Sequence, residues 1–282
     1  MVGEPSESPT MPPERRRIRL TLRGLMLLIL CLAVWLGWRV HLARQQREAV
    51  AAIKKFGGTV HYDWELGKGP PDGGRRGPPA PAWLREAIGD EYFQDVINVG
   101  LDSGDTSRSE EEERRSFRDL IQRLSSFSRL THLSLSGDSI TPDEIGGLAA
   151  LSHLSMLIIS GEQLDDGCLG KLAAMPNLEQ IWLSGGHFTD AALGHARGMT
   201  GLKSLVLYDD GPHITDAGLA QIRGLVSLKQ LVIIPSKITD AGLGHLESLL
   251  SLQDLNLNQS SVSEEGKVRL MRKLPGLQTH PN

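Results

Sequence analysis

The sequence predicts an α/β solenoid, with parallel β-strands on a concave face, helices on a convex face and a transmembrane helix near the N-terminus. Three observations carry this reading. The motif LxxLxL returns six times, its first leucine at Leu130, Leu154, Leu178, Leu202, Leu228 and Leu252, in steps of 24, 24, 24, 26 and 24 residues. A helix-start pattern follows each strand motif at a nearly fixed distance, as in Ile238-Thr239-Asp240-Ala241-Gly242-Leu243. A unit of this size cannot bury its apolar face alone, so it stacks on its neighbours. Near the N-terminus, Gly24 to Trp38 runs for fifteen residues without a charge.

Composition narrows the function classes. With 282 residues, 40% hydrophobic and 23% charged, the chain has the make-up of a globular protein of one or two domains. Residues 1 to 55 carry ten Lys or Arg against four Asp or Glu, a balance of +6, which leaves the remainder at −10 in a chain of net charge −4. An acidic soluble part argues against nucleic acid as its partner. The two cysteines, Cys31 in the apolar run and Cys168 within a repeat, give no reason to expect a disulfide.

Residues 1–19 read as a basic tail and residues 20–40 as a membrane anchor, with Leu20, Leu22 and Val40 extending the apolar run toward a bilayer-spanning length. Arg23 and Arg39 are placed to snorkel, and Trp35 and Trp38 lie where aromatic rings favour the headgroup region. A cleaved signal peptide is the rival, but only Arg39-Val40-His41 follows, with no small-residue cleavage site. Basic residues flank the anchor evenly: Arg15, Arg16, Arg17, Arg19 and Arg23 on one side, Arg39, Arg44, Arg47, Lys54 and Lys55 on the other. The denser N-terminal cluster on a short tail favours a single-pass protein with its repeats outside the cytoplasm.

Residues 41–66 form a juxtamembrane segment, read as a basic amphipathic helix near a membrane surface followed by alternation from Thr59 to Trp64 like a short strand. Residues 67–81, mostly Gly and Pro, read as a partly extended tether. Residues 82–129 read as an N-terminal capping unit: a helix at Pro81 to Ile88, then a strand in which Val96, Val99 and Leu101 repeat the motif spacing. Its return helix opens with Ser109 and Glu112 at capping-box spacing, and Phe117, Leu120, Ile121 and Leu124 make one apolar face. Glu110 to Glu113 followed by Arg114 and Arg115 gives two i,i+4 ion pairs on a solvated face.

Residues 130–282 are the repeats. Thr189-Asp190, Thr215-Asp216 and Thr239-Asp240 fit helix N-caps with an anion at the positive end of the dipole, and Thr141-Pro142 is a cap followed by proline at the first helical position. Recurrent acids invite a calcium or carboxylate-ladder reading, which capping makes unnecessary. Over residues 130–277 these motifs resemble the leucine-rich-repeat family, in its subtype with units of 24 to 26 residues, as in F-box substrate receptors and many bacterial proteins. With the anchor and tether the chain resembles uncharacterised membrane-anchored bacterial leucine-rich-repeat proteins. One departure stands out: the turn position that commonly holds an Asn or Cys ladder carries Asp138, Glu162, Gly186, Asp210, Ser236 and Ser260, which predicts a looser turn.

The leucines of LxxLxL point inward, and alternation sends the intervening residues to the concave face. One column there reads Gly100, Ser134, Ile158, Trp182, Val206, Val232, Asn256, and its neighbour Asp102, Ser136, Ser160, Ser184, Tyr208, Ile234, Asn258. Its centre is apolar and its ends are polar. Met156, Ile158, Trp182, Val206, Tyr208, Val232 and Ile234 are therefore the candidate contacts for a protein partner, with Trp182 and Tyr208 as anchors. The unit containing Tyr208-Asp209-Asp210-Gly211-Pro212-His213 is two residues longer, which places an inserted loop on the rim.

Catalysis is not expected. No nucleophile elbow, phosphate loop or metalloprotease motif is present, and no cofactor is implied. His195 and His245 stand two units apart, too far for one metal. His187 and His213, in adjacent units with Asp209 and Asp210 nearby, leave a metal-dependent enzyme as a weak alternative. The leading expectation is a non-catalytic, membrane-tethered module that binds a protein partner. A cytoplasmic adaptor like the F-box receptors is the runner-up, disfavoured because nothing upstream looks like an F-box.

Overall fold

The computed structural model describes residues 22–66, 81–88, 95–102, 110–127, 129–138 and 140–280. The basic tail, residues 67–80 of the tether and the Ser109 cap lie outside them. Two compact units divide the chain, Met1–His41 and Leu42–Asn282. Helix α1 (Leu22–Lys55) begins in the first and continues into the second. Over Arg23–Lys55 it is long and apolar enough, by length and composition, to cross a membrane. Leu25, Met26, Leu27, Leu28, Ile29, Leu30, Trp35 and Trp38 are all exposed there.

The second unit is built on one nine-stranded sheet in sequence order, β1 (Thr59–Tyr62), β2 (Val96–Asp102), β3 (His132–Ser136), β4 (Met156–Ser160), β5 (Gln180–Gly186), β6 (Ser204–Asp209), β7 (Gln230–Ile234), β8 (Asp254–Asn256) and β9 (Gln278–Thr279). Only β1 runs antiparallel to its neighbour. From β2 onward the strands are parallel and in register, as the 24-residue step requires. Strand β1 is followed by α2 (Asp63–Leu66) and α3 (Ala82–Ile88), and the strands β2 to β8 each return through a helix: α4 (Glu110–Leu124), α5 (Pro142–Gly146), α6 (Asp166–Leu172), α7 (Asp190–Ala196), α8 (Asp216–Gln221), α9 (Asp240–Leu243) and α10 (Glu264–Lys273). Two inner columns, Leu133-Leu157-Ile181-Leu205-Leu231-Leu255 and Leu135-Ile159-Leu183-Leu207-Ile233, are buried against helix residues such as Leu169, Leu193, Leu219 and Leu243. Full burial of such a side chain contributes roughly 1.5–3 kcal/mol. Repetition of the same burial in every unit supplies the stability that no disulfide provides.

The first unit of the solenoid is capped by a segment that the sequence predicts as juxtamembrane. From Leu42 to Lys55, α1 does not behave as a free surface helix: Ala43, Ala49 and Ile53 are buried, the last two within the solenoid core. Strand β1 pairs Val60 with Val99 and Thr59 with Gly100, covering the edge that β2 would otherwise present. The juxtamembrane segment is thus part of the folded domain, because its apolar face covers the first unit, which has no preceding repeat. At the other end, Lys267 is 3% exposed and its Nζ donates to Glu264 and to the His280 carbonyl, tying α10 to the segment after β9. In α4 the apolar face forms as expected, with Leu120, Ile121 and Leu124 buried. Arg115 pairs with Glu111 at 3.2 Å, while Arg114 reaches out of its helix to Gln163 at 3.1 Å.

The turns are irregular at Gly185-Gly186, where β5 shifts register, and a second ladder ties the units together at the helix starts. The caps are as read from sequence: the hydroxyls of Thr189, Thr215, Thr239 and Ser263 accept from the first-turn N–H groups of their helices. Each of these residues also donates to the acid of the preceding unit. Asp166 accepts from the Thr189 N–H and hydroxyl at 2.7 and 2.6 Å, Asp190 from those of Thr215 at 2.7 and 2.6 Å, Asp216 from Thr239 at 2.8 and 2.7 Å, and Asp240 from Ser263 at 2.8 and 2.6 Å. Thus the acid of the Thr-Asp pair does more than face its own helix dipole; it bridges to the next cap. Backbone links hold the turn itself, Gly137 N–H to the Ser160 carbonyl and Gly161 N–H to that of Ser184, each at 2.9 Å. At Gly218, Gly242 and Gly266 a Cβ would run into the Asp carboxylate of the preceding unit. Ala192 occupies the equivalent position three residues after Thr189.

Candidate functional site

The face of the sheet opposite the helices carries the candidate contacts in the expected register. Ile158, Trp182, Val206 and Val232 are paired in one row across β4–β7, Ser184, Tyr208 and Ile234 in the next, and Met156 with Gln180 on the other flank. Their exposure differs from the expected continuous apolar surface. Tyr208 is 44% exposed, and Met156, Ile158, Trp182 and Ile234 are half-buried, but Val206 and Val232 are only 2% and 5% exposed. Val206 stands between Trp182 and Val232 in the row. Tyr208 is therefore the most accessible of these residues, Met156, Ile158, Trp182 and Ile234 are partly accessible, and the two valines are buried.

Polar side chains frame this patch. Ser204 donates to Gln230 at 2.7 Å, Gln230 to Asp254 at 2.8 Å, and His280 lies 2.9 Å from Asp254, forming a row along one flank. The Ser160 and Ser184 hydroxyls are 2.7 Å apart on the other. The Trp182 indole nitrogen is buried with no acceptor among the described residues. An amphipathic ring with an unused donor suits an interface more than a core, where such groups are paired.

Beside Tyr208 the inserted loop gathers a second constellation. Strand β5 bulges after Ser184, Gly185 adopting φ +81° and Gly186 pairing with Asp209 in place of the regular register. This accommodates the longer unit and sets His187 against the loop. His187 Nδ1 lies 3.2 Å from Asp210 Oδ1, His213 Nδ1 3.1 Å from Asp209 Oδ2 and 3.8 Å from Asp210 Oδ1, and the two ring centroids are 4.0 Å apart. The His187 hydrogen bond holds the Asp210 carboxyl below the usual carboxylate value, assisted by Asp209 and the charge of the two imidazoles. Sequence spacing placed the two histidines in adjacent units. The bulge that aims them at the same acids leaves only Gly185-Gly186 as its trace.

His195 is exposed on the helical side, remote in register from this loop. Cys168 is fully buried, and burial pushes its thiol up to about 11, which suits a core residue and not a nucleophile.

No protein-family model and no curated protein matches the chain. Among solved structures, an internalin from Listeria monocytogenes is similar, with 14% identity, a TM-score of 0.35 and coverage of 57% of this chain and 57% of that one. A leucine-rich-repeat protein of Leptospira interrogans has 18% identity and a TM-score of 0.39, covering 57% of this chain and 45% of its own. The matches thus span about half the length of those structures. The fold is carried by the chain itself: LxxLxL returns across six units, the strands from β2 onward are parallel with a register shift in the β5–β6 pair, and a helix closes each unit. By that repeat and that stacking, the chain is a leucine-rich-repeat solenoid.

Proposed function

We propose that this chain is a non-catalytic, membrane-tethered interaction module that holds a protein partner on the open face of its sheet. Trp182 and Tyr208 are the anchors, Met156, Ile158 and Ile234 surround them, and Val206 and Val232 are buried in the row of Trp182. The observation that carries the reading is Tyr208, 44% exposed and diagonal to Trp182 across the β5–β6 pair, inside a polar frame. Aromatic anchors within a polar rim are the usual centre of a protein interface. Tethering is supported by the exposed apolar stretch of α1, and the denser basic cluster before it, Arg15 to Arg23, favours repeats outside the cytoplasm.

The test places a photo-cross-linking side chain at position 208 of the full chain in native membranes, and for comparison at Arg223 on the helical side. A defined protein adduct from 208 alone, diminished by Trp182→Ala, is the expected result. Equal adducts from both positions, or indifference to Trp182→Ala, overturn the binding face. Binding measured with the captured partner should weaken by more than about 1 kcal/mol for either Trp182→Ala or Tyr208→Ala. Resistance to alkaline extraction and cleavage by protease added outside intact cells test the anchor and its orientation. Extraction by alkali overturns the first, and full protection of the repeats the second.

A further inference from the structure

The loop inserted between β6 and α8 does more than lengthen one unit. Two imidazoles and two carboxylates, from His187, Asp209, Asp210 and His213, each offer one atom within a cluster no wider than 4.8 Å. Three of its six separations, 3.1, 3.2 and 3.8 Å, lie around the edge of about 3.3 Å expected between neighbouring ligands of a tetrahedral ion with bonds of about 2.0–2.1 Å, and the others reach no further than 4.8 Å. Simple His–Asp ion pairing needs one acid for each imidazole. Here Asp210 Oδ1 faces both rings, at 3.2 and 3.8 Å, so the donors converge on a shared point.

The surroundings fix those donors. The Asp209 side chain is fully buried, and its Oδ1 accepts the backbone N–H groups of Phe188 and Asp210 at 3.1 and 2.9 Å, which aims Oδ2 at His213. Hydrogen-bonded ligating carboxylates of this kind are a regular part of metal sites. Gly211 makes the loop possible, since a Cβ there would lie 2.6 Å from the His213 ring. The bulge at Gly185-Gly186 brings His187 from the neighbouring unit to the same point. His187 and Asp210 remain more than half exposed, leaving a route for an ion and room for water as a further ligand.

We infer that His187, Asp209, Asp210 and His213 form a binding site for a divalent transition ion, Zn2+ in the first instance, which joins two adjacent units at the rim beside Tyr208. Two imidazole donors favour Zn2+ over Ca2+ or Mg2+, which take oxygen ligands. This inference is independent of the partner-binding reading.

The experiment uses the full chain in detergent, without a polyhistidine tag, stripped with a chelator and titrated with Zn2+ alone against a chromogenic competitor. One Zn2+ per chain is expected, together with a higher unfolding midpoint in its presence. His187→Ala and His213→Ala should each weaken binding roughly 10–100-fold or more, whereas His195→Ala leaves it unchanged. Substitution with Co2+ should give visible absorption that disappears in His187→Ala. Because His187 is exposed, that variant should keep its metal-free unfolding midpoint, and if it does not, His187→Gln replaces it. No Zn2+ bound above background, or binding that survives the double substitution of His187 and His213, overturns the site.

Discussion

Trp182 and Leu183 are chain neighbours on opposite faces of β5, and they separate binding from stability. Leu183 is fully buried between the stacked units, so Leu183→Ala should cost about 2–5 kcal/mol in a urea unfolding measurement. Trp182→Ala, on the half-buried face, should cost distinctly less. An inverted order would mean that the strand register is off by one residue, which would move every candidate contact to the core. The ladder makes a second statement about individual residues. Asp216 holds the N–H and hydroxyl of Thr239, so removing either partner leaves the other with a donor or acceptor to re-satisfy. A double-mutant cycle with Asp216→Ala and Thr239→Ala should give a coupling of about 0.5–3 kcal/mol; additivity would deny the bridge.

Helix starts and turns are the elements in which the repeat becomes specific. Four short helices, α7 to α10, are each capped by a hydroxyl that also grips the acid of the unit before, so element formation and stacking are one event. The last of these links has a pH signature. The Ser263 hydroxyl, and after it the Ser263 N–H, hold the Asp240 carboxyl below its usual value. These donors favour the ionised form, so the stabilisation is complete above the ordinary carboxylate value and is lost as the pH falls through the depressed one. The unfolding midpoints of the native chain and Asp240→Asn should therefore differ near neutrality and converge in acid. A difference that is constant down to low pH would show that the charge plays no part.

For the molecule as a whole, the decisive feature is how a one-dimensional stack is closed at its first unit. Ile53 is fully buried although it lies in a segment whose charge pattern reads as a surface helix. Ile53→Ala should cost about 2–5 kcal/mol, a core-like penalty that a helix resting on a membrane surface would not show. Calorimetry or urea unfolding of the full chain in detergent measures it directly. A value near zero would return residues 42–55 to the juxtamembrane role. Because each unit touches only its neighbours, loss of this cap should lower the stability of the first repeats before that of the last.

Sequence alone determined the solenoid, since a leucine motif in phase over six units has one economical packing, and it determined the strand register, since alternation leaves one set of side chains to fill the core. It also located the helix caps, whose Thr-Asp pairs are local chemistry. Three features were decided only by tertiary structure. The Asp-to-Thr bridges join residues 23 to 25 positions apart, and a cap reads the same with or without them. Val206 and Val232 are buried although they lie on the open face, and alternation assigns a face without giving the exposure on it. The convergence of His187 and His213 on the same acids follows from a bulge in β5 that offsets a longer unit in β6, and such a compensation exists only once the two strands are paired.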